Sequence, residues 1–399
     1  MNLLIIHQNF PGQFRHVALE ALHRRLVVVA VGRDTAPGVA GVKLYRYRPS
    51  RKNIYGAHAC LHKYEEAVSD GQQVKRILLG LNQAGFQPDV ILAHPGWGET
   101  LFVKDVYPEV PLVHLCEYYY RAQGSDSDFD PEFPCAIDAS SRLGILNSMH
   151  LLNIEQCDVG IAPTQWQRSL FPKAYQSKIR VIHEGVVQVA DSEKLKSVTL
   201  PDGCTITAGQ PVVTYVARNL EPYRGFHSFM RAIPRIQEIC PNAQIIVIGG
   251  EGVSYGRMPV GYPNWRSKML AEVDVDISRV HFVGKLSYQT YRSVLSLSKA
   301  HVYLTYPFVL SWSLLEAMAS GCVVVGSDTA PVREVIESGV NGILVDFFDA
   351  EGIASAVCRV LTSIGGFESM KDAARLKASE FDVVKGVSGY FEVFNELMR

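Results

Sequence analysis

The sequence has no Cys-x-x-Cys pair, no apolar run as long as a membrane span, no excess of either charge and no G-x-G-x-x-G fingerprint. Each absence removes a class of function. Eight scattered cysteines, several inside or beside apolar runs (Cys116, Cys240, Cys322), read as reduced thiols and not as a disulfide framework, which sets a cytoplasmic expectation. Lys and Arg total 39 against 40 Asp and Glu, a near-balance that argues against a dedicated nucleic-acid binder. No apolar stretch is long enough to cross a bilayer as a helix, which leaves attachment to a membrane surface open. The opening MNLLIIHQNF lacks a basic region ahead of a long apolar core, and it reads as a first buried strand instead of a secretory signal. The missing glycine fingerprint removes an ordinary dinucleotide site.

What is present is enough apolar material for two cores: 399 residues, 47% of them apolar. Strand and helix patterns alternate along the whole chain. In the first half, Leu3–Ile6, Leu26–Val31, Val42–Tyr47, Asp89–Ala93, Leu112–Leu115, Val159–Ala162 and Ile179–Ile182 read as strands. In the second half, Val212–Val216, Gln244–Ile248, Val280–Val283, Val302–Thr305, Val323–Val325 and Ile343–Val345 repeat the theme. Buried β-branched runs of this kind are most simply parallel and covered on both faces, which makes each half a doubly wound α/β domain. The expected division is residues 1–187, a polar connection over 188–209, and residues 210–379, with a last helix at about 380–399 compatible with packing back on the first domain.

Ligands of such sheets sit beyond the carboxyl ends of the strands, so the strand-end residues are the candidates. His94, Trp97 and Glu99 follow one strand, and His114 and Glu117 end the next; together they are candidates for touching a sugar. Gly12 lies in the first strand-to-helix loop, where a missing side chain lets backbone approach a ligand. Arg218 and Arg224-Gly225 flank a turn after another strand, and arginine forks onto phosphate oxygens. Gly249 and Gly284 end two further strands. The run Ser311-Trp312-Ser313-Leu314 opens a helix predicted over Leu314–Ser320, whose free N–H groups suit a phosphate. Glu316 has two readings: the far member of a capping box with Ser313, or a carboxylate for the two hydroxyls of a ribose.

Other stretches carry weaker signals. The segment from Arg46 to Lys52, with Arg48 and Arg51, is basic and aromatic, suited either to solvent or to an anionic headgroup. His58 and His62 have metal-ligand spacing, but no second ligand cluster accompanies them, and no metal is expected. Asp126, Asp128 and Asp130 read as a solvated acidic loop, since Ile137 stands where a calcium loop needs its glutamate.

The Arg218/Arg224-Gly225 pair, the LLEAMASG run at Leu314–Gly321 and the stretch from Val323 to Pro331-Val-Arg-Glu334 resemble a retaining, family 4 type glycosyltransferase of the GT-B fold, of the branch found in bacterial polysaccharide assembly. That resemblance runs along nearly all of the chain. It implies two Rossmann-like domains facing across a cleft, an acceptor-binding first domain and a donor-binding second one. It also implies Arg218 and Arg224 on the donor diphosphate, Glu316 on the ribose, and Gly12 approaching phosphate and sugar. Two departures stand out. Phe308 occupies the position of a second family glutamate, so donor-sugar contacts pass to Ser311 or Trp312. Glu117 stands where the family carries a histidine, with His114 three residues earlier.

The expected reaction moves a sugar, with retention, from a nucleotide-diphosphate donor to a glycan or lipid-linked glycan acceptor, without metal or other cofactor. Glu117, His114, Arg218 and Arg224 form the catalytic set, at work in the cytoplasm or at the inner face of the plasma membrane as a peripheral protein. Two alternatives share the architecture: a non-catalytic nucleotide-sugar-binding partner protein, for which Phe308 speaks, and a sugar-nucleotide epimerase.

Overall fold

The structure, a computed structural model, describes residues 1–49, 58–136, 138–188 and 195–399; Arg51, Lys52 and Ile137 lie outside them. The chain divides into two compact units, Met1–Gly185 with Val383–Arg399, and Val186–Asp382.

In the first unit, seven parallel strands form one sheet: β1 (Asn2–Ile6), β2 (Val27–Arg33), β3 (Lys43–Tyr47), β4 (Val90–Ala93), β5 (Leu112–Leu115), β6 (Val159–Ala162) and β7 (Ile179–Val181). Their order is β3-β2-β1-β4-β5-β6-β7. Leu3 to Ile6 are fully buried on both faces, as expected where helices cover both sides of a parallel sheet. The last helix, Val383–Leu397, belongs here, with Tyr390 and Phe394 buried in one core with Phe14, Val17 and Ala21. Strand order reverses between β1 and β4, so the loops after these two strands diverge and open a crevice at their carboxyl ends.

The second unit begins with a short antiparallel hairpin, β8 (Ser197–Thr199) and β9 (Thr205–Thr207), inside the stretch expected as a connection. Its basis is the alternation Thr205-Ile206-Thr207, which buries Ile206 completely, with Leu200 beside it in the second core. Six parallel strands follow: β10 (Val212–Asn219), β11 (Gln244–Gly250), β12 (Val280–Gly284), β13 (Ala300–Tyr303), β14 (Val323–Ser327) and β15 (Ile343–Val345). Their order is β12-β11-β10-β13-β14-β15, with the reversal between β10 and β13. β13 lies two residues earlier than the sequence pattern predicts. Its ladder is over by Thr305, whose N–H donates to the Ser327 hydroxyl at 3.1 Å.

Gly225 sits at the β10 end with φ of 67°, and a Cβ placed there would lie 2.3 Å from the Leu304 Cβ. Both the left-handed backbone and the contact demand glycine. Gly225→Ala should therefore cost about 2 kcal/mol or more of stability; an unchanged denaturation midpoint would show that the turn does not need this residue.

Candidate active site

In the first unit, the loops after β1, β4 and β5 bring a polar group together at the point of strand-order reversal. The His94 Nδ1 accepts from the Gly96 N–H at 3.1 Å, which leaves its Nε2 to donate to Glu117 Oε2 at 3.0 Å. By the same logic His7 Nδ1 accepts from the Asn9 N–H at 3.0 Å, and its Nε2 donates to Gln13 Oε1 at 2.8 Å. The Gln13 amide then donates to Glu117 Oε1 at 2.6 Å. Trp97 stacks on His94, ring centroids 4.2 Å apart. Burial would raise the Glu117 carboxyl, but the hydrogen bond and electrostatic attraction of His94 and the bond from Gln13 outweigh it and hold the group below the usual carboxylate range. Burial and the neighbouring His94 push His7 down to about 3, so it stays neutral.

His7 and Gln13 were not among the sequence candidates; the signal that pointed to them was their place in the first strand-to-helix loop. Gly12 gains its reason from the same loop. Its φ is 47°, and a Cβ would lie 2.3 Å from the His7 ring, so the glycine makes room for an imidazole. His114 does not join the network at its surface. It is fully buried in β5, pushed down to about 3 by burial and His94. Glu99 is turned inward as well: it is 1% exposed and accepts from the Tyr47 hydroxyl, close to the ion pair of Arg33 and Asp70 at 2.7 Å.

The second unit gathers its charged groups around Arg224. This guanidinium is 7% exposed, and no carboxylate pairs with it among the described residues. Its Nη1 donates to the Thr305 hydroxyl at 2.8 Å, the Val309 carbonyl at 2.9 Å and the Tyr303 hydroxyl at 3.4 Å. Aromatic faces cover it, Tyr255 at 5.5 Å and Phe308 at 5.8 Å. The Tyr303 hydroxyl also accepts from the Ser311 N–H at 2.8 Å, which ties Arg224 to the start of the helix Trp312–Ala319. Arg218, by contrast, is exposed on β10 and has no hydrogen bond or ion pair among the described residues.

Around that helix start the structure corrects the sequence reading. The cap is Ser311, whose hydroxyl accepts from the Ser313 N–H at 3.3 Å, and Glu316 takes no part in capping. Glu316 instead accepts from the Tyr288 and Tyr291 hydroxyls, each at 2.9 Å. Burial raises its carboxyl, and the two phenols counter that only in part. Tyr288 and Tyr291 are one helical turn apart, a spacing that could have marked them. The Leu314 side chain is fully buried, which leaves only its backbone for a ligand. Gly249 is hemmed in, with a Cβ position 2.7 Å from the Ala217 carbonyl, whereas Gly284, with φ of 65°, faces open space.

Two secondary readings also changed. Asp126 and Asp130 are buried, not solvated; Asp126 accepts from the Tyr118 hydroxyl at 2.8 Å and Asp130 from the Glu132 N–H at 2.9 Å. Arg46 donates to the backbone carbonyls of Asp34 and Ala36, a structural use of its charge. Among the described residues no cluster of three metal-binding side chains occurs, and no helix is long and apolar enough to cross a membrane.

Residues 24–190 match the glycosyl transferase family 4 group, and residues 210–363 match the glycosyl transferases group 1. Both halves of the chain thus carry glycosyl transferase domains, the first of the family 4 group and the second of group 1. It is 26% identical over 226 residues to a phosphatidyl-myo-inositol mannosyltransferase of Mycolicibacterium smegmatis, covering 50% of this chain and 54% of that protein. The match thus spans about half the length of this mycobacterial relative. An uncharacterized glycosyltransferase of Methanocaldococcus jannaschii is 24% identical over 93% of this chain and 90% of its own. Among solved structures, Anabaena HepE in complex with UDP-glucose superposes with a TM-score of 0.70 at 16% identity, covering 99% of this chain and 100% of its own. Sucrose-phosphate synthase of Thermosynechococcus elongatus gives 0.73, also at 16%, over 100% and 99%. These structural likenesses establish the fold of this glycosyltransferase.

Glu117→Gln should lose about 1–2 kcal/mol at neutral pH, because an amide cannot accept from both His94 and Gln13. Glu117 has a depressed folded-state value, so its stabilisation is complete above the ordinary value of 4.5 and is lost as pH falls through the folded one. Denaturant titrations at pH 7 and near pH 3 should show the gap between wild type and variant narrowing with acid; a gap of constant size would refute the charge-based account.

Proposed function

We propose that this glycosyltransferase moves a sugar, with retention of configuration, from a nucleotide-diphosphate donor to a glycan or lipid-linked glycan acceptor in cell-surface or exopolysaccharide biosynthesis. The observation that carries the reading is Arg224, a buried cation held by neutral acceptors with no carboxylate pairing with it among the described residues. A buried, uncompensated charge is costly, and a bound dianion is the partner that would relieve it. Arg218 and the helix start at Ser311 offer further positive potential to the same diphosphate. The UDP-glucose carried by the Anabaena fold relative and the lipid named for the mycobacterial relatives support a nucleotide sugar and a membrane-borne acceptor. The reading places the protein in the cytoplasm, peripheral to the inner face of the plasma membrane.

As the glycosidic bond breaks, negative charge grows on the leaving diphosphate, where Arg218, Arg224 and the helix N–H groups stabilise it without calling on a metal. The second unit thus takes the donor nucleotide, with Glu316 on the ribose and Gly284 leaving backbone room. In the first unit, the Glu117 carboxylate, oriented by His94 and Gln13, supplies negative potential to a sugar that gains positive charge. The departing phosphate oxygen takes the acceptor proton, so no separate general base is required.

Arg218→Ala should lower kcat on the order of a hundredfold with an unchanged melting temperature, since the side chain is exposed and unpaired. Glu316→Gln should weaken nucleotide binding without lowering the melting temperature, because it removes a carboxylate that burial disfavours. A Glu316→Gln protein that melts earlier and binds nucleotide as before would reduce Glu316 to a structural role. The second reading, a non-catalytic nucleotide-sugar-binding protein, draws on Phe308, 7% exposed and packed 4.8 Å from Tyr255. Donor binding without transfer or donor hydrolysis across a panel of acceptors would favour it.

A further inference from the structure

Beneath the His94–Glu117 pair lies a cavity of about 60 Å³ that the reaction proposed above does not use. His94, His114, His150, Tyr120, Ile154 and Phe171 line it, with Glu117 at its side. His114 is fully buried, and neither of its ring nitrogens meets a partner at hydrogen-bonding geometry, the Asn153 backbone lying near but outside it. His150 is 7% exposed, and its Nε2 is likewise without a partner. Three buried nitrogens are thus left unsatisfied around one small space, a costly arrangement unless something polar occupies it.

The lining restricts the occupant. Burial pushes His114 down to about 3 and His150 to about 4, so both rings are neutral, each offering one donor and one acceptor. The Glu117 carboxylate repels an anionic substituent, and no cation-binding cluster is present among the described residues. The space takes a few water molecules or one small substituent. Ile154 and Phe171 are apolar, so the group should carry a methyl as well as hydrogen-bonding atoms. We propose that this cavity receives the acetamido group of an N-acetylated amino sugar, an inference that rests on the glycosyl-transfer reading. The carbonyl oxygen accepts from one imidazole N–H, the amide N–H donates to an unprotonated ring nitrogen, and the methyl packs on Ile154 and Phe171. A hydroxyl in the same place leaves the apolar wall uncovered.

The test compares methyl N-acetylglucosaminide with methyl glucoside as ligands of the full chain, binding being read by saturation-transfer NMR. Wild type should prefer the N-acetyl glycoside by about tenfold. His150→Phe, which fills the space, should abolish the preference, and His150→Gln, which keeps a polar end, should retain part of it. Equal binding of the two glycosides by wild type, or a preference that survives His150→Phe, overturns the inference. Should His150→Phe fail to fold, a crystal of wild type grown with methyl N-acetylglucosaminide decides: an acetamido group in the cavity supports the assignment, and ordered water alone in it refutes it. A protein that turns over nucleotide sugars yet ignores the acetamido group loses only this inference. One that binds no nucleotide sugar at all loses the underlying reading too.

Discussion

A positive charge taken out of water with no carboxylate to meet it is the constraint on which the second unit depends. Arg224 has neutral oxygens on one side and aromatic faces on the other. Those contacts satisfy the geometry of the guanidinium while leaving its charge unanswered. Much of the neighbourhood serves to hold that arrangement. Gly225 makes the turn that presents the arginine, and the Tyr215 hydroxyl fixes the Arg224 carbonyl at 2.7 Å. Glu221, fully buried, accepts from the backbone N–H groups of Ser254, Tyr255 and Gly256, which anchors the loop bearing one of the covering rings.

The first unit solves the opposite problem, keeping a carboxylate charged in a half-enclosed place. Its solution is a chain of hydrogen-bond donors in which each imidazole is held by a backbone N–H two residues along the chain. Because His7 remains uncharged, the network orients Glu117 without neutralising it. A fixed dipole that needs no rearrangement when charge develops is the kind of environment in which catalysis gains most.

Much of this was legible before any coordinates. The strands of both sheets could be read because buried parallel strands are continuous β-branched runs, and Arg224-Gly225 because an arginine followed by glycine at a strand end has few structural uses. Less visible was anything that depends on strand order, which no local pattern encodes. The meeting of His7, Gln13, His94 and Glu117 follows from β1 lying beside β4, and β4 beside β5. Glu99 shows the converse: two residues from Trp97, it faces an inner cluster with Tyr47, because a loop of this length turns its side chains to different sides. At Ser313 and Glu316 the capping pattern was present in the letters but lost to tertiary contacts. Ser311 caps the helix two residues earlier, and two phenols claim the carboxylate.

Those two phenols bear on where affinity would come from. With Tyr288 donating to one oxygen of Glu316 and Tyr291 to the other, the carboxylate is held in place and keeps a second lone pair on each oxygen for an arriving pentose. Because the phenols set its orientation in advance, little ordering is left for the ligand to impose. On the proposed reading, a bare nucleoside therefore meets a ready-made pentose site, and its diphosphate adds the arginines and the helix start at Ser311.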